Sequence, residues 1–164
     1  MIRDQTNAVH AVYRTKLMKG DVTMYMSSPT SYFAGGITSM DADGFTVGAD
    51  LKVNGASTTY HYQAFGNAFN PETGTGATDF YIGHYMGNGL DNRDILRLPF
   101  QADVIGVQRA GGYSLSIRTS AMPGDLTDFL GPYAESADHI QAINSDGFEI
   151  GTVARINGAA GYFY

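Results

Sequence analysis

ITSMDADGFTVG, running from Ile37 to Gly48, comes back as IQAINSDGFEIG from Ile140 to Gly151. Three further blocks keep step with it. RTKLMKGD (Arg14 to Asp21) returns as RTSAMPGD (Arg118 to Asp125), LKVNG (Leu51 to Gly55) as ARING (Ala154 to Gly158), and TYHY (Thr59 to Tyr62) as GYFY (Gly161 to Tyr164). In chain order the offsets are 104, 103, 103 and 102 residues, so the slips fall between blocks, where loops belong. Ordered blocks at near-constant spacing mark an internal repeat, and the repeat has to be read before any single element.

Inside the blocks the pattern is strand and turn. Phe45 and Val47 alternate with Thr46, and Phe148 and Ile150 with Glu149, the period of a strand with one buried face. Upstream, Val9, Ala11 and Tyr13 alternate with His10, Val12 and Arg14, and Tyr113, Leu115 and Ile117 with Ser114, Ser116 and Arg118. The apolar set of each pair is expected to face inward. Asp43-Gly44 and Asp146-Gly147 read as hairpin turns, and so do Asn54-Gly55 and Asn157-Gly158, which lie between apolar segments and would need positive φ. DVTMYM from Asp21 and DLTDFL from Asp125 fit either a capped helical turn or a short strand, and both remain open.

Composition agrees with strands. The 164 residues include 21 Gly, 11 Tyr and 9 Phe, and only 16% are charged, against about 25% in an average soluble domain. Three Lys (Lys16, Lys19, Lys52) and three Glu (Glu72, Glu135, Glu149) exclude a helical bundle. The expected fold class is all-β, a β-sandwich or jelly-roll-like architecture built from two repeated halves. Copy one covers residues 1–66, a Gly/Thr/Pro-rich linker 67–78, and copy two 79–164, either as two units or as one joint sandwich. Copy two opens with FYIGHYMGNG from Phe80 and ILRLPFQADVIGVQR from Ile95, for which copy one has no counterpart, since Met1 already aligns near Ile105. Copy one is thus expected to be truncated at its start, leaving an edge for copy two, a neighbouring subunit or a larger assembly to cover.

Few residues point to chemistry. A net charge of −6 with scattered basic residues disfavours nucleic acid and anionic membranes as partners. Cysteine is absent, which removes disulfides and thiolate zinc sites. The amino terminus lacks the apolar stretch of a secretory signal, and no run approaches a membrane span. No Walker, GxGxxG, GxSxG or HExxH motif occurs.

His10, His61, His84 and His139 have no second ligand at i+2 or i+4 and read as ordinary strand histidines. Asp41-Ala42-Asp43-Gly44 is similar to the start of a calcium loop but lacks the late Glu, so a turn is expected, and Asp91 to Asp94 reads as a polar turn. No metal or cofactor is expected. Arg14 with Asp21, and Arg118 with Asp125, recur seven residues apart; each Arg is expected to tether its loop through a salt bridge or backbone carbonyls. Tyr60, Tyr62, Tyr81, Tyr85, Tyr162 and Tyr164 alternate with smaller residues and read as core and subunit interface, with a glycan-stacking platform as the alternative.

The run ITSMDADGFTVGADLKVNGASTTYHYQAF resembles one found in virion-associated proteins of tailed bacteriophages and prophages, as does YMGNGLDNRDILRLPFQADVIGVQR followed by INSDGFEIGTVARINGAAGYFY. The shared elements are a YxGNG strand, a PF-x-x-D-V segment, an SDGF-x-x-G hairpin and a VN-x-x-G-x-x-Y ending, in this order. The resemblance spans nearly the whole chain and implies no catalytic residue. It implies a non-enzymatic structural protein of the virion, made in the host cytoplasm and released by lysis. The expected role is capsid decoration or cement, acting as a homo-oligomer on the capsid protein. A tail or head fibre module that binds glycans is the alternative, and a glycan hydrolase the third, since the separation of two acids that sugar hydrolysis needs is not legible in a sequence.

Overall fold

A computed structural model describes residues 1–4, 11–26, 32–64 and 80–163. The 67–78 linker, Val9, His10 and Tyr164 lie outside the described residues, and of Tyr162 only the backbone is described. The strands of the first half are β1 (Ile2–Asp4), β2 (Val12–Tyr13), β3 (Met24–Tyr25), β4 (Ile37–Met40), β5 (Phe45–Val47) and β6 (Tyr60–Tyr62), with the one-turn helix α1 (Leu51–Asn54) before β6. The second half adds β7 (Tyr85–Met86), β8 (Arg93–Leu96), β9 (Val104–Val107), β10 (Ser116–Thr119), β11 (Asp128–Phe129), β12 (Ile140–Asn144), β13 (Gly147–Ile150), α2 (Ala154–Asn157) and β14 (Tyr162–Phe163). The fold is all-β. Its strands are two to five residues long and every pairing between them is antiparallel, giving the sheet orders β3-β2-β1-β6, β11-β10-β9, β12-β13-β8, β14-β7 and β4-β5.

Elements recur at the spacing of the sequence blocks, and so do the hydrogen bonds that hold them. Arg14 donates to the carbonyls of Val22 (2.5 Å), Met18 (3.1 Å) and Gly20 (2.6 Å). Arg118 donates to those of Leu126, Met122 (3.3 Å) and Gly124 (2.5 Å). Asp21 accepts from the Gly35 amide and Asp125 from the Asp138 amide. The loop anchors are therefore backbone carbonyls, and neither Arg forms an ion pair with its Asp among the described residues.

The open segments after Asp21 and Asp125 are strands, β3 and β11, each preceded by a buried Thr. Thr23 Oγ1 accepts from the Ile37 amide and donates to the Ile37 carbonyl; Thr127 does the same with Ile140. A side chain thus replaces a missing strand-to-strand pair, satisfying backbone groups that burial would otherwise leave bare.

Two expectations are corrected. Asn54-Gly55 and Asn157-Gly158 are not hairpin tips: they end α1 and α2, and Gly55 and Gly158 have φ of −73° and −58°. The positive φ falls instead on Ser57 (60°) and Ala160 (59°). The helices form because Asp50 O and Val153 O each accept two amides, from Val53 and Asn54 and from Ile156 and Asn157, while Asp50 Oδ1 also caps the Lys52 amide. Each Asn then turns its side chain back to the carbonyl of Gly48 or Gly151. The second correction concerns the inward face. Ser114, Ser116 and Arg118 are buried, Arg118 to 6% exposure, whereas Tyr113, Leu115 and Ile117 are half-buried; in copy one Val12 is buried and Ala11 and Tyr13 are not. Small Ser side chains let the next layer approach, and the Arg charge is tolerated because three carbonyls receive it.

Asp43-Gly44 lies in the turn from β4 to β5 as expected, but the turn from β12 to β13 is Ser145-Asp146, because Gly147 already pairs with Asn144 and Leu96 as the first residue of β13. Of the polar turn at Asp91 to Asp94, only Asp91 and Asn92 (φ 52°) are turn; Arg93 and Asp94 already pair in β8.

Apolar burial is split. One cluster holds Ile2, Val12, Tyr25, Ile37 and Val53; the other centres on Ile105, Val107, Ile140, Phe148, Ile150, Ile156 and Phe163. Between the halves, the Gln108 side chain donates to the Tyr25 carbonyl (2.6 Å) and the Leu115 amide to the Met26 carbonyl (3.1 Å).

Candidate functional site

The most specific constellation of side chains surrounds Asn157, which is wholly buried at the end of α2. Its Oδ1 accepts from the Asn88 amide (2.9 Å), with the Gly89 amide and Arg93 Nη1 further off at 3.4 Å. Its Nδ2 donates to the carbonyls of Leu90 (2.7 Å) and Gly151 (2.9 Å). The backbone adds a bond from the Gly89 amide to the Asn157 carbonyl. One amide side chain thus clasps the Gly87-Asn88-Gly89-Leu90 segment that leads from β7 to β8. Gly87 has to be glycine there, since a Cβ would collide with the Gly158 carbonyl oxygen and press on the Phe163 ring. The sequence reading assigned Asn157 to a turn and missed this role; the signal available was the recurrence of Asn in LKVNG and ARING.

Around the clasp, β8 pairs along β13 from Gly147↔Leu96 to Ile150↔Arg93, and β7 pairs with β14. Tyr85 stacks on Phe163 (5.0 Å, 9°) and donates its hydroxyl to the Ile156 carbonyl (2.7 Å). Burial raises its phenol well above the ordinary value of 10, against the opposing pull of Arg93.

Of the six tyrosines, the four whose side chains are described do not converge on one platform. Tyr81 and Tyr85 pack against the second core. Tyr60 packs against the first and locks α1, donating to the Leu51 carbonyl (2.5 Å) and accepting from the Gly55 amide (2.7 Å). Tyr62 is 65% exposed, its ring edge-on to Phe45. Tyr162 contributes a backbone pair with Met86.

Each half also holds a cation over aromatic rings, a feature the sequence reading did not find. Lys52 Nζ lies 4.7 Å from the centre of Phe33, and the Arg155 guanidinium 4.5 Å from Phe129 and 5.2 Å from Tyr113 and Tyr133. The two cations occupy matching places on α1 and α2.

His61 and His84 are exposed, and no group of three or more His, Cys, Asp or Glu able to hold a metal occurs among the described residues. Asp41 accepts from Ser39 Oγ and Thr46 Oγ1 (both 2.8 Å), which lower its carboxyl and brace the hairpin. His139 is buried against Phe129 (4.9 Å), with Nδ1 2.8 Å from the Ala137 carbonyl. Burial lowers its imidazole from the ordinary 6.5. The unfolded chain therefore takes up this proton first, and stability falls as pH drops from 6.5 towards the lowered folded value. Thermal unfolding of the wild type and His139→Gln at about pH 7.5 and 5 checks this; the variant is expected to lose the part of the slope above the carboxylate range.

No family model, curated protein or solved structure matches the chain.

Proposed function

We propose that this chain is a non-enzymatic structural protein of a tailed-phage particle, decorating or cementing the capsid through many modest contacts. The observation that carries the reading is the placing of exposed apolar side chains on both halves: Leu51 and Tyr62 on the first, Leu90, Leu96 and Val104 on the second. Large exposed apolar groups at separate places suit a subunit held by several neighbours at once, where weak contacts are multiplied by avidity. The repeat, the low charge and the virion-protein resemblance of the SDGF and VNxxG phrases support the same reading. A sandwich- or jelly-roll-like stacking of the small sheets belongs with it. The glycan alternative draws less support, because three of its six candidate tyrosines, Tyr60, Tyr81 and Tyr85, pack against the cores.

The test is reconstitution. Purified chain is mixed with phage capsids stripped of accessory proteins, and bound protein is measured by particle mass and proteomics. Saturable binding at a stoichiometry matching a capsid symmetry axis is expected. A chain that stays monomeric and unbound, and is missing from virions, would overturn the proposal.

A further inference from the structure

We infer that copy one carries an unfilled receptor for an extended segment of the β7–β8 kind, a strand, a Gly-Asn-Gly-Leu corner and a second strand, supplied by a partner polypeptide.

In copy two, β13 has β12 on one side and β8 on the other, and β14 is paired by β7. In copy one, β5 has only β4 and β6 only β1 among the described residues. The lone edges show in the burial: Phe148 and Ile150 are buried, while their counterparts Phe45 and Val47 are half-buried.

Two residues of copy one make sense only with a neighbour in place. The first is Asn54. It keeps the bond that Asn157 makes to its own half, Nδ2 to the Gly48 carbonyl at 2.9 Å, matching Asn157 to Gly151 at 2.9 Å. It has nothing in place of the Asn88, Gly89, Leu90 and Arg93 contacts among the described residues, and it is exposed where Asn157 is wholly buried. Among the described residues the clasp is oriented but holds only the Gly48 carbonyl.

The second is Gly44. At the matching Gly147, a Cβ would collide with the Ile95 carbonyl of β8, so β8 itself demands the glycine. At Gly44 a Cβ would meet no atom within 4 Å, and the backbone is not left-handed. Nothing described in its own half requires glycine there; a docked strand would.

The occupant is fixed by the same comparison. It pairs antiparallel along Gly44 to Val47 as β8 does along Gly147 to Ile150, and offers two successive amides and a carbonyl to Asn54. The β7–β8 segment among the described residues is engaged in copy two, and the occupant we propose is a segment of the same kind on a partner polypeptide.

A synthetic peptide of the sequence FYIGHYMGNGLDNRDILRL, residues 80–98, is titrated into the full chain by calorimetry. Saturable binding is expected, weakened about tenfold or more by Asn54→Ala and abolished by Gly44→Val, with both variants folded at the titration temperature by circular dichroism. Hydrogen exchange should slow at Phe45 to Val47. Binding that ignores both substitutions would place the peptide elsewhere, and no binding at millimolar peptide would leave no receptor; either overturns the inference. Self-association of the chain through this edge, broken by Gly44→Val, would make a second copy the occupant and overturn it as well.

Discussion

Arg118→Met is expected to destabilise the second half by about 3 kcal/mol, through the loss of hydrogen bonds from a buried charged donor. The substitution keeps the aliphatic stem and deletes the guanidinium, leaving the carbonyls of Met122, Gly124 and Leu126 without their shared donor. Bonds from charged donors contribute about 1.5–3 kcal/mol each, and a carbonyl that water cannot reach loses that contribution outright. Arg14→Met is the internal control. Arg14 holds the matching three carbonyls but is half-buried, and its bond to Gly20 is exposed, so water can replace the guanidinium at smaller cost. Urea unfolding of both variants gives the comparison. Equal losses would show that burial is not what makes the anchor strong.

Asn157→Ala is the second large effect, about 3 kcal/mol, since it strips a wholly buried amide from two backbone carbonyls and the Asn88 amide at once. The loss should be local first. Hydrogen exchange at Asn88 and Gly89 is expected to speed up while β9 and β10 stay protected, because those two amides bond to Asn157 and the β9–β10 ladder does not. Asn54→Ala removes a single exposed bond and is expected to cost no more than about 0.5 kcal/mol.

Much of the fold could be read from the chain because its strands alternate and its blocks repeat. The Phe45/Val47 and Phe148/Ile150 pattern placed two hairpins with their turns. Ser116 and Arg118 were misread because a hydropathy pattern ranks Arg and Ser as outward, whereas an Arg supplied with three carbonyls is stable inside. Asn-Gly was misread because its hairpin preference is local, and here the Asn side chain is drawn to a carbonyl six residues back, at Gly48 or Gly151. The clasp around Asn157 was illegible for a different reason. Its partners Asn88 to Leu90 lie nearly seventy residues upstream, and no spacing rule links a helix end to a corner at that distance. The additional strands that open copy two were legible, but the different surroundings of Asn54 and Asn157, and of Gly44 and Gly147, emerge only in space.

The division of apolar burial into two clusters has a consequence for how denaturation is recorded. Joined across Tyr25–Gln108 and Met26–Leu115, the halves need not melt together, and the smaller cluster should go first. A fluorescence trace from this molecule, dominated by eleven tyrosines spread over both halves, would then superimpose two sigmoids. Its apparent midpoint would belong to neither half, and only probes confined to one side would report a true equilibrium.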